Sequence, residues 1–302
     1  MASQHISLFP GPRAVDRLMR IASDTQGELD PSMTVIRPPS GWPRVGWMEL
    51  WHYRDLLTLL VWRDFSARYR QSLIGIGWAL LRPIIAVIVF TVVFGRMAGF
   101  SSDGVPYPVF NYAGLMPWLY FAGCLTGTSD SLVGSRTLLT RIYFPRLILP
   151  ISKVANGLID LTIQFVLLLL MMAWYGIRPG AAVIFIPAFV LLACLAALAV
   201  GTWLTALNVK FRDVRHAVPF LAQMWMWMTP VVYASNTVPD QWRLLYSLNP
   251  MVGVVDGFRW ALLGRPIPDW TMIGVSTAVV ITTLLTGLLF FRRMETEFAD
   301  IV

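Results

Sequence analysis

The sequence predicts an all-α, polytopic membrane protein, and three observations carry that prediction. Hydrophobic residues make up 56% of the 302-residue chain and charged residues only 14%, whereas a soluble domain carries about a quarter charged residues. The mean hydropathy is +0.62. The apolar residues gather into separate runs, most of them near the roughly 20 residues an α-helix needs to cross a bilayer. Arginine and lysine collect between the runs.

Residues 1–45 contain Pro10, Pro12, Pro31, Pro38, Pro39 and Pro43 among many polar residues. Such a segment forms a poor core and is expected to be a flexible cytoplasmic tail. Met1–Asp30 has no apolar signal-peptide core, so the first span is expected to act as the insertion signal. A transmembrane domain is expected over 46–302. It opens at 50–72, where Leu56, Leu59, Leu60 and Val61 mix with Arg54, Arg63, Arg68 and Arg70. Those charges argue for an amphipathic helix in the headgroup layer, with Trp51, Tyr53 and Trp62 as interfacial rings. Asp64 precedes Arg68 by four residues, a favourable order on a helix.

About six spans are expected, at 78–100, 108–130, 147–174, 181–207, 214–234 and 270–291, the fifth being short. The region 236–268 is too apolar for an exposed loop. It is also too interrupted, by Asn249, Pro250, Asp256 and Arg259, to cross. Short re-entrant helices covered by protein are expected there. Bases cluster in the N-terminal region (Arg54, Arg63, Arg68 and Arg70, next to Arg82), after the second span (Arg136, Arg141, Arg146), after the fourth (Lys210, Arg212, Arg215) and in the tail (Arg292, Arg293). With an even number of spans, the positive-inside rule puts both termini in the cytoplasm. The net charge of +7 is accounted for in this way, with no need of nucleic acid as a partner.

The missing motifs narrow the function. The only lysines, Lys153 and Lys210, are not preceded by glycine, so no G-x-x-x-x-G-K-[ST] loop exists to cradle a nucleotide. His5, His52 and His216 are scattered without metal-ligand spacing, and no serine sits in a G-x-S-x-G elbow. Cys124 and Cys194 lie inside apolar runs and read as small buried hydrophobes. No catalytic residue, metal or cofactor is expected on this chain.

Three patterns invite a functional reading. Asn156, Asp160 and Gln164 recur every four residues and form one polar stripe on the third span, with Lys153 one or two turns before Asp160. They suit either interhelical hydrogen bonding or the wall of a conduit. In the fifth span Phe220, Met224 and Trp227 follow i, i+4, i+7 and share a face. Trp225 lies about 200° from Trp227 at 3.6 residues per turn, so the two rings cannot enter one slot. Phe90 and Phe94 make an i, i+4 pair in the first span. Flat rings suit the apolar C–H faces of sliding sugars, or plain core packing. The loops at 136–150 and 208–215 combine bases with aromatics and suit either positively charged turns or helices that dock into a partner.

Four separated stretches, RDFSARYRQSLIGIGWALLRP (63–83), YFPRLILP (143–150), NVKFRDVRHAVPFLAQMWMWMTPVVY (208–233) and LNPMVGVVDGFRWALLG (248–264), occur in order. Through them the chain, over about residues 50–295, resembles the permease subunit of type-2 ABC exporters of O-antigen, capsular or teichoic-acid polymers. Residues 1–45 exceed the family's shorter members. The resemblance implies a gate or interface helix around Asp64, Arg68, Tyr69 and Arg70. It implies contacts to an ATPase at Arg141, Tyr143, Arg146, Phe211, Arg212 and Asp213. It also implies a channel lined by Phe90, Phe94, Phe220, Met224, Trp225, Trp227 and Tyr233. The implied assembly is a homodimer in the bacterial inner membrane with two cytosolic ATPase subunits, which hold ATP and Mg, moving a lipid-linked polysaccharide. Two alternatives stand beside it. One is a type-2 exporter of drugs or small lipids, which needs fewer aromatics. The other is a membrane enzyme acting on lipid-linked sugars, for which Asp240, Asp256 and Asp269 are the only carboxylate cluster.

Overall fold

The computed structural model describes residues 47–69, 77–264 and 268–295, and all regular structure within them is helical. The expected tail at 1–45, Arg70 and the side chain of Tyr69 lie outside the described residues. The amphipathic segment is two helices, α1 (Trp47–His52) and α2 (Arg54–Tyr69), interrupted at Tyr53, where one helix over 50–72 was expected. The first span is α3 (Gly77–Phe90), continued by a π-helical stretch, Thr91–Met97. Then follow α4 (Tyr107–Ser129), the short α5 (Arg136–Leu139), α6 (Ile148–Trp174) and α7 (Ile186–Lys210), the last entered through a 3-10 turn at Ala181–Phe185. The chain ends with α8 (Val214–Trp227), α9 (Asp240–Tyr246), α10 (Pro250–Leu263) and α11 (Trp270–Met294).

Among the described residues four segments are long and apolar enough to cross a membrane: Gly77–Met97, Ile148–Trp174, Ala181–Lys210 and Trp270–Met294. The chain is therefore a polytopic membrane protein. The expected second span, α4, has 23 residues but carries Asn111, Thr128 and Ser129 inside its buried surface. It is shielded on nearly every side, packing against α6, α7, α8 and α10. The expected fifth span ends early. Its helix stops at Trp227 rather than near 234 because Pro230 disfavours the helical conformation at Thr229, and the last amides tighten into Met228 N–H to Trp225 O and Thr229 N–H to Met226 O.

Small residues let the helices approach. A Cβ on Gly257 of α10 would fall 2.1 Å from the Phe189 ring of α7, so α10 rests directly on that ring. A second core closes the other end, where Leu60 of α2 meets Phe144, Leu147, Val209 and Phe291. Among the described residues of the expected region 236–268, two short helices form, α9 and α10. The Asn249-Pro250 pair starts α10, the Asn249 side chain accepting from the Met251 amide and proline occupying the first turn. Gly264 ends it in the left-handed region at φ 70°.

Arg259 holds this end together. Its side chain is wholly buried, lies 3.8 Å over the Phe110 ring and donates to three backbone carbonyls: Phe110 at 3.2 Å, Tyr233 at 3.0 Å and Val231 at 2.6 Å. Only glycine fits at 114, since a Cβ there would sit 2.7 Å from the guanidinium. One planar fork thus ties α10 to the first turn of α4 and to the irregular chain after α8. Arg259→Leu is expected to cost about 3–5 kcal/mol, because three carbonyls lose their donor and buried Asp256 loses its nearby cation. Arg259→Lys should recover little, since an ammonium lacks the fork. Folded yield and thermal unfolding in detergent measure both.

Candidate functional site

The π-helical end of α3 meets the C-terminal turn of α8 through aromatic rings. Trp227 lies 6.2 Å from Phe90 and 6.0 Å from Phe94, those two are 5.8 Å apart, and Phe100 is 5.5 Å from Phe94. Trp227 is still 43% exposed, and Phe220 and Met224 on the same face of α8 are 61% and 42% exposed. Among the described residues the face is therefore a ribbon of rings and a thioether left partly open.

Trp225 takes the opposite course. Its ring stands at 90° to Phe121, 5.3 Å away, and 6.4 Å from Trp118, while its Nε1–H donates to Asn249 Oδ1 at 3.1 Å. The same Asn249 donates to the Met228 carbonyl and Thr229 Oγ1, so it both caps α10 and secures the end of α8. Of the expected channel residues, the structure brings Phe90, Phe94 and Trp227 together and turns Trp225 away into the core. Tyr233 folds back below α8, its hydroxyl donating to the Trp227 carbonyl at 3.3 Å and lying 2.9 Å from the Tyr246 hydroxyl.

At the other end a charged clamp fastens α2 to α6. Lys153 lies 2.5 Å from Asp64, and Arg68 pairs with Asp160. Asp64 and Arg68 were expected to support each other along one helix; instead each has its partner on α6, and Asp64 also accepts from the neighbouring Arg63. Burial pushes the Asp64 carboxyl up, but its bonds to Lys153 and Arg63 outweigh that and hold it below the ordinary carboxylate value. The polar stripe divides. Asn156 and Gln164 are buried, and Asp160 and Gln164 line a cavity of about 640 Å³ that Arg68, Arg82, Trp78 and Thr126 also line.

The loops expected to dock a partner are turns rather than helices at the residues singled out. Tyr143 and Phe211 project outward, as do Arg141, Arg212 and Asp213. Arg146 does not, since its guanidinium donates to the Glu295 carbonyl at the end of α11. Asn208 closes the second loop, donating to the Ser129 carbonyl at 2.7 Å and accepting from the Arg215 amide. Of the three carboxylates singled out in the α9–α11 region, Asp256 is buried near Arg259, Asp240 is exposed and paired with Arg243, and Asp269 caps α11.

Sequence reasoning did not find Arg259, Asn249 or Asn208 as fixings. Asn-Pro at 249–250 was a readable helix start; the other two depend on distant partners.

A helical bundle with four segments long and apolar enough to cross a bilayer defines a polytopic membrane protein. A family model for ABC-2 type transporters matches residues 55–263, from the start of α2 to the end of α10. The O-antigen export system permease protein RfbA of Myxococcus xanthus is 32% identical over 255 residues, spanning 83% of this chain and 97% of that protein. A protein of the same name from Klebsiella pneumoniae is 23% identical over 250 residues, 82% of this chain and 95% of the relative. The polysialic acid transport protein KpsM of Escherichia coli is 22% identical over 238 residues, 77% and 91% respectively. The chain belongs to the ABC-2 type transporter family.

Two outcomes are expected from this geometry. Swapping the clamp charges should show coupling: Asp64→Lys loosens α2, and adding Lys153→Asp restores about 1 kcal/mol. Because the folded Asp64 carboxyl is more acidic than the unfolded one, its contribution should be present above the unfolded value of about 3.9 and disappear as pH falls through the folded value. Thermal unfolding across an acid pH series reads both effects. Second, Trp225→Ala should cost about 3 kcal/mol or more of stability and lower folded yield, while Trp227→Ala leaves yield nearly unchanged.

Proposed function

We propose that this chain is the permease of an ATP-driven exporter that carries a lipid-linked polysaccharide of O-antigen or capsular type across the bacterial inner membrane. The observation that carries the proposal is the aromatic ribbon of Phe90, Phe94 and Trp227, left open beside Phe220 and Met224. Sugar rings present flat C–H faces that stack on aromatics without demanding a fixed register, which suits a polymer that must slide. The names of the relatives, O-antigen export permeases and a polysialic acid transport protein, point the same way. A drug or small-lipid exporter has less use for such a ribbon.

In this reading residues 46–302 form the transmembrane domain and 1–45 a cytoplasmic tail. The four long apolar segments are joined as crossings by α4 and α8, while α9 and α10 are re-entrant on the outer side. At 14 residues α8 is about 21 Å long, short of the roughly 30 Å hydrocarbon core, so residues 228–233 complete the passage under cover of Arg259. Both termini are cytoplasmic. Two copies of the chain face one another so that each ribbon forms half of a conduit. Two cytosolic ATPase subunits, which bind ATP and Mg, press on the loops around Arg141, Tyr143 and Phe211–Asp213. The α2 helix, with Asp64 and Arg68 clamped to α6 beside the cavity at Arg82 and Asp160, gates the cytoplasmic entrance.

Surface polysaccharide per assembled transporter tests the proposal. Phe94→Ala and Trp227→Ala should each reduce export about fivefold to tenfold, the value of one lost stacking contact, and Trp227→Tyr should keep most of it. Normal export by every alanine variant removes the ribbon from the conduit. For the partner, Arg212→Glu should weaken co-purification of the ATPase by about 2 kcal/mol or more, with export falling in step; ATP hydrolysis by the purified chain alone overturns the split between subunits.

A further inference from the structure

A second groove lies between α3 and α6, on another side of α3 from the aromatic ribbon. It has a volume of about 410 Å³ and an apolar wall that includes Ile84, Val87, Ile88, Leu167 and Met171. Ile84 and Ile88 are exposed, so the groove opens sideways, toward lipid. The end of the groove nearest Met97 is polar: Arg96 and Tyr175 line it, with Thr91 between them and the apolar wall along the helix.

Thr91 is anomalous. Other threonines of the bundle satisfy their hydroxyls on the carbonyl four residues earlier, as Thr162, Thr205 and Thr282 do. Among the described residues the buried Thr91 hydroxyl has no hydrogen-bond partner, a costly state for a polar group in an apolar setting. Arg96 has no acidic or hydrogen-bonding partner among the described residues.

The π-helical winding explains why these two residues share a groove. On an α-helix, residues five apart point about 140° away from each other. Here the turns widen, with the Ala98 amide bonding the Val93 carbonyl five residues back at 2.9 Å, and residues five apart come close to one above the other. Thr91 and Arg96 therefore line the same groove.

Read along the helix from Arg96 toward Pro83, the groove offers a cation, a hydroxyl donor unpartnered among the described residues and then an apolar slot. A glycerophospholipid presents its phosphate, ester carbonyl and acyl chain in the same order. From Arg96 down to Pro83 the groove follows about 20 Å of α3, close to the thickness of one leaflet, which is half of a hydrocarbon core of about 30 Å plus its headgroup border. We infer that the α3–α6 groove is a binding site for an anionic phospholipid of the membrane. Its phosphate rests on Arg96, an ester carbonyl accepts from Thr91, and one acyl chain fills the slot in the leaflet at the C-terminal end of α3.

The test places the full-length chain in phosphatidylcholine vesicles containing a trace of phosphatidylglycerol with a photoreactive acyl chain, and locates the label by peptide mass spectrometry. Label is expected on residues 83–97 and 167–175. Arg96→Ala should reduce it about fivefold, the effect of one base near an anionic headgroup. Arg96→Lys should retain it, and Thr91→Val should reduce it without changing folded yield. Photoreactive phosphatidylcholine should label this site weakly in every variant. Three outcomes overturn the inference: equal labelling in wild type and Arg96→Ala, labelling only when a lipid-linked polysaccharide is supplied, or an Ile88→Cys variant that crosslinks two copies and so assigns the groove to a seam between them.

Discussion

Backbone polar groups must find partners wherever water is excluded, and in this chain the guanidinium of Arg259 meets that constraint at the hardest place. The stretch after α8 cannot be helical because of Pro230, yet it is packed among helices, with Val231 and Val232 buried. Irregular backbone at such a depth survives only when protein satisfies it. Arg259 supplies donors to Val231, Tyr233 and Phe110 at once, and Asn249 supplies them to Met228. These bonds set where α8 stops. The stopping point in turn sets the height at which Trp227 meets Phe90 and Phe94, so the candidate conduit depends on a residue that does not touch it.

The opposite end uses charge where this end uses carbonyls. The α2 helix touches the core through Leu60 and is fastened to α6 by Asp64 with Lys153 and Arg68 with Asp160. Ion pairs at a water-facing end contribute modestly to stability, but two of them fix an orientation.

Between the two ends the bundle is held by close approach. Gly201 leaves room for Thr128, Gly287 for Thr202 and the Ala199 carbonyl, and Gly257 for Phe189. Lipid tails are as apolar as leucine, so helices gain little from hydrophobicity alone and depend on such fits and on buried hydroxyls such as Thr205, which donates to the Thr128 carbonyl. The central α4 carries more polar groups than a lipid-facing helix tolerates because α6, α7, α8 and α10 surround it.

The sequence by itself determined that the chain is a polytopic membrane protein, the places of the long apolar helices, the basic loops and the opposition of Trp225 to Trp227. Each of these follows from composition or from the fixed 100° step of an α-helix, which are local properties. What it left open were matters of contact. Whether the rings of α3 and α8 meet, which carboxylate each base selects and how the chain after Met228 is satisfied depend on residues distant in the chain. The broken helix at Tyr53, the winding change at Thr91 and the three-carbonyl grip of Arg259 were decided only in the tertiary structure. There the energy of a polar group depends on which partners the packing brings within about 3 Å, a quantity that no local pattern encodes.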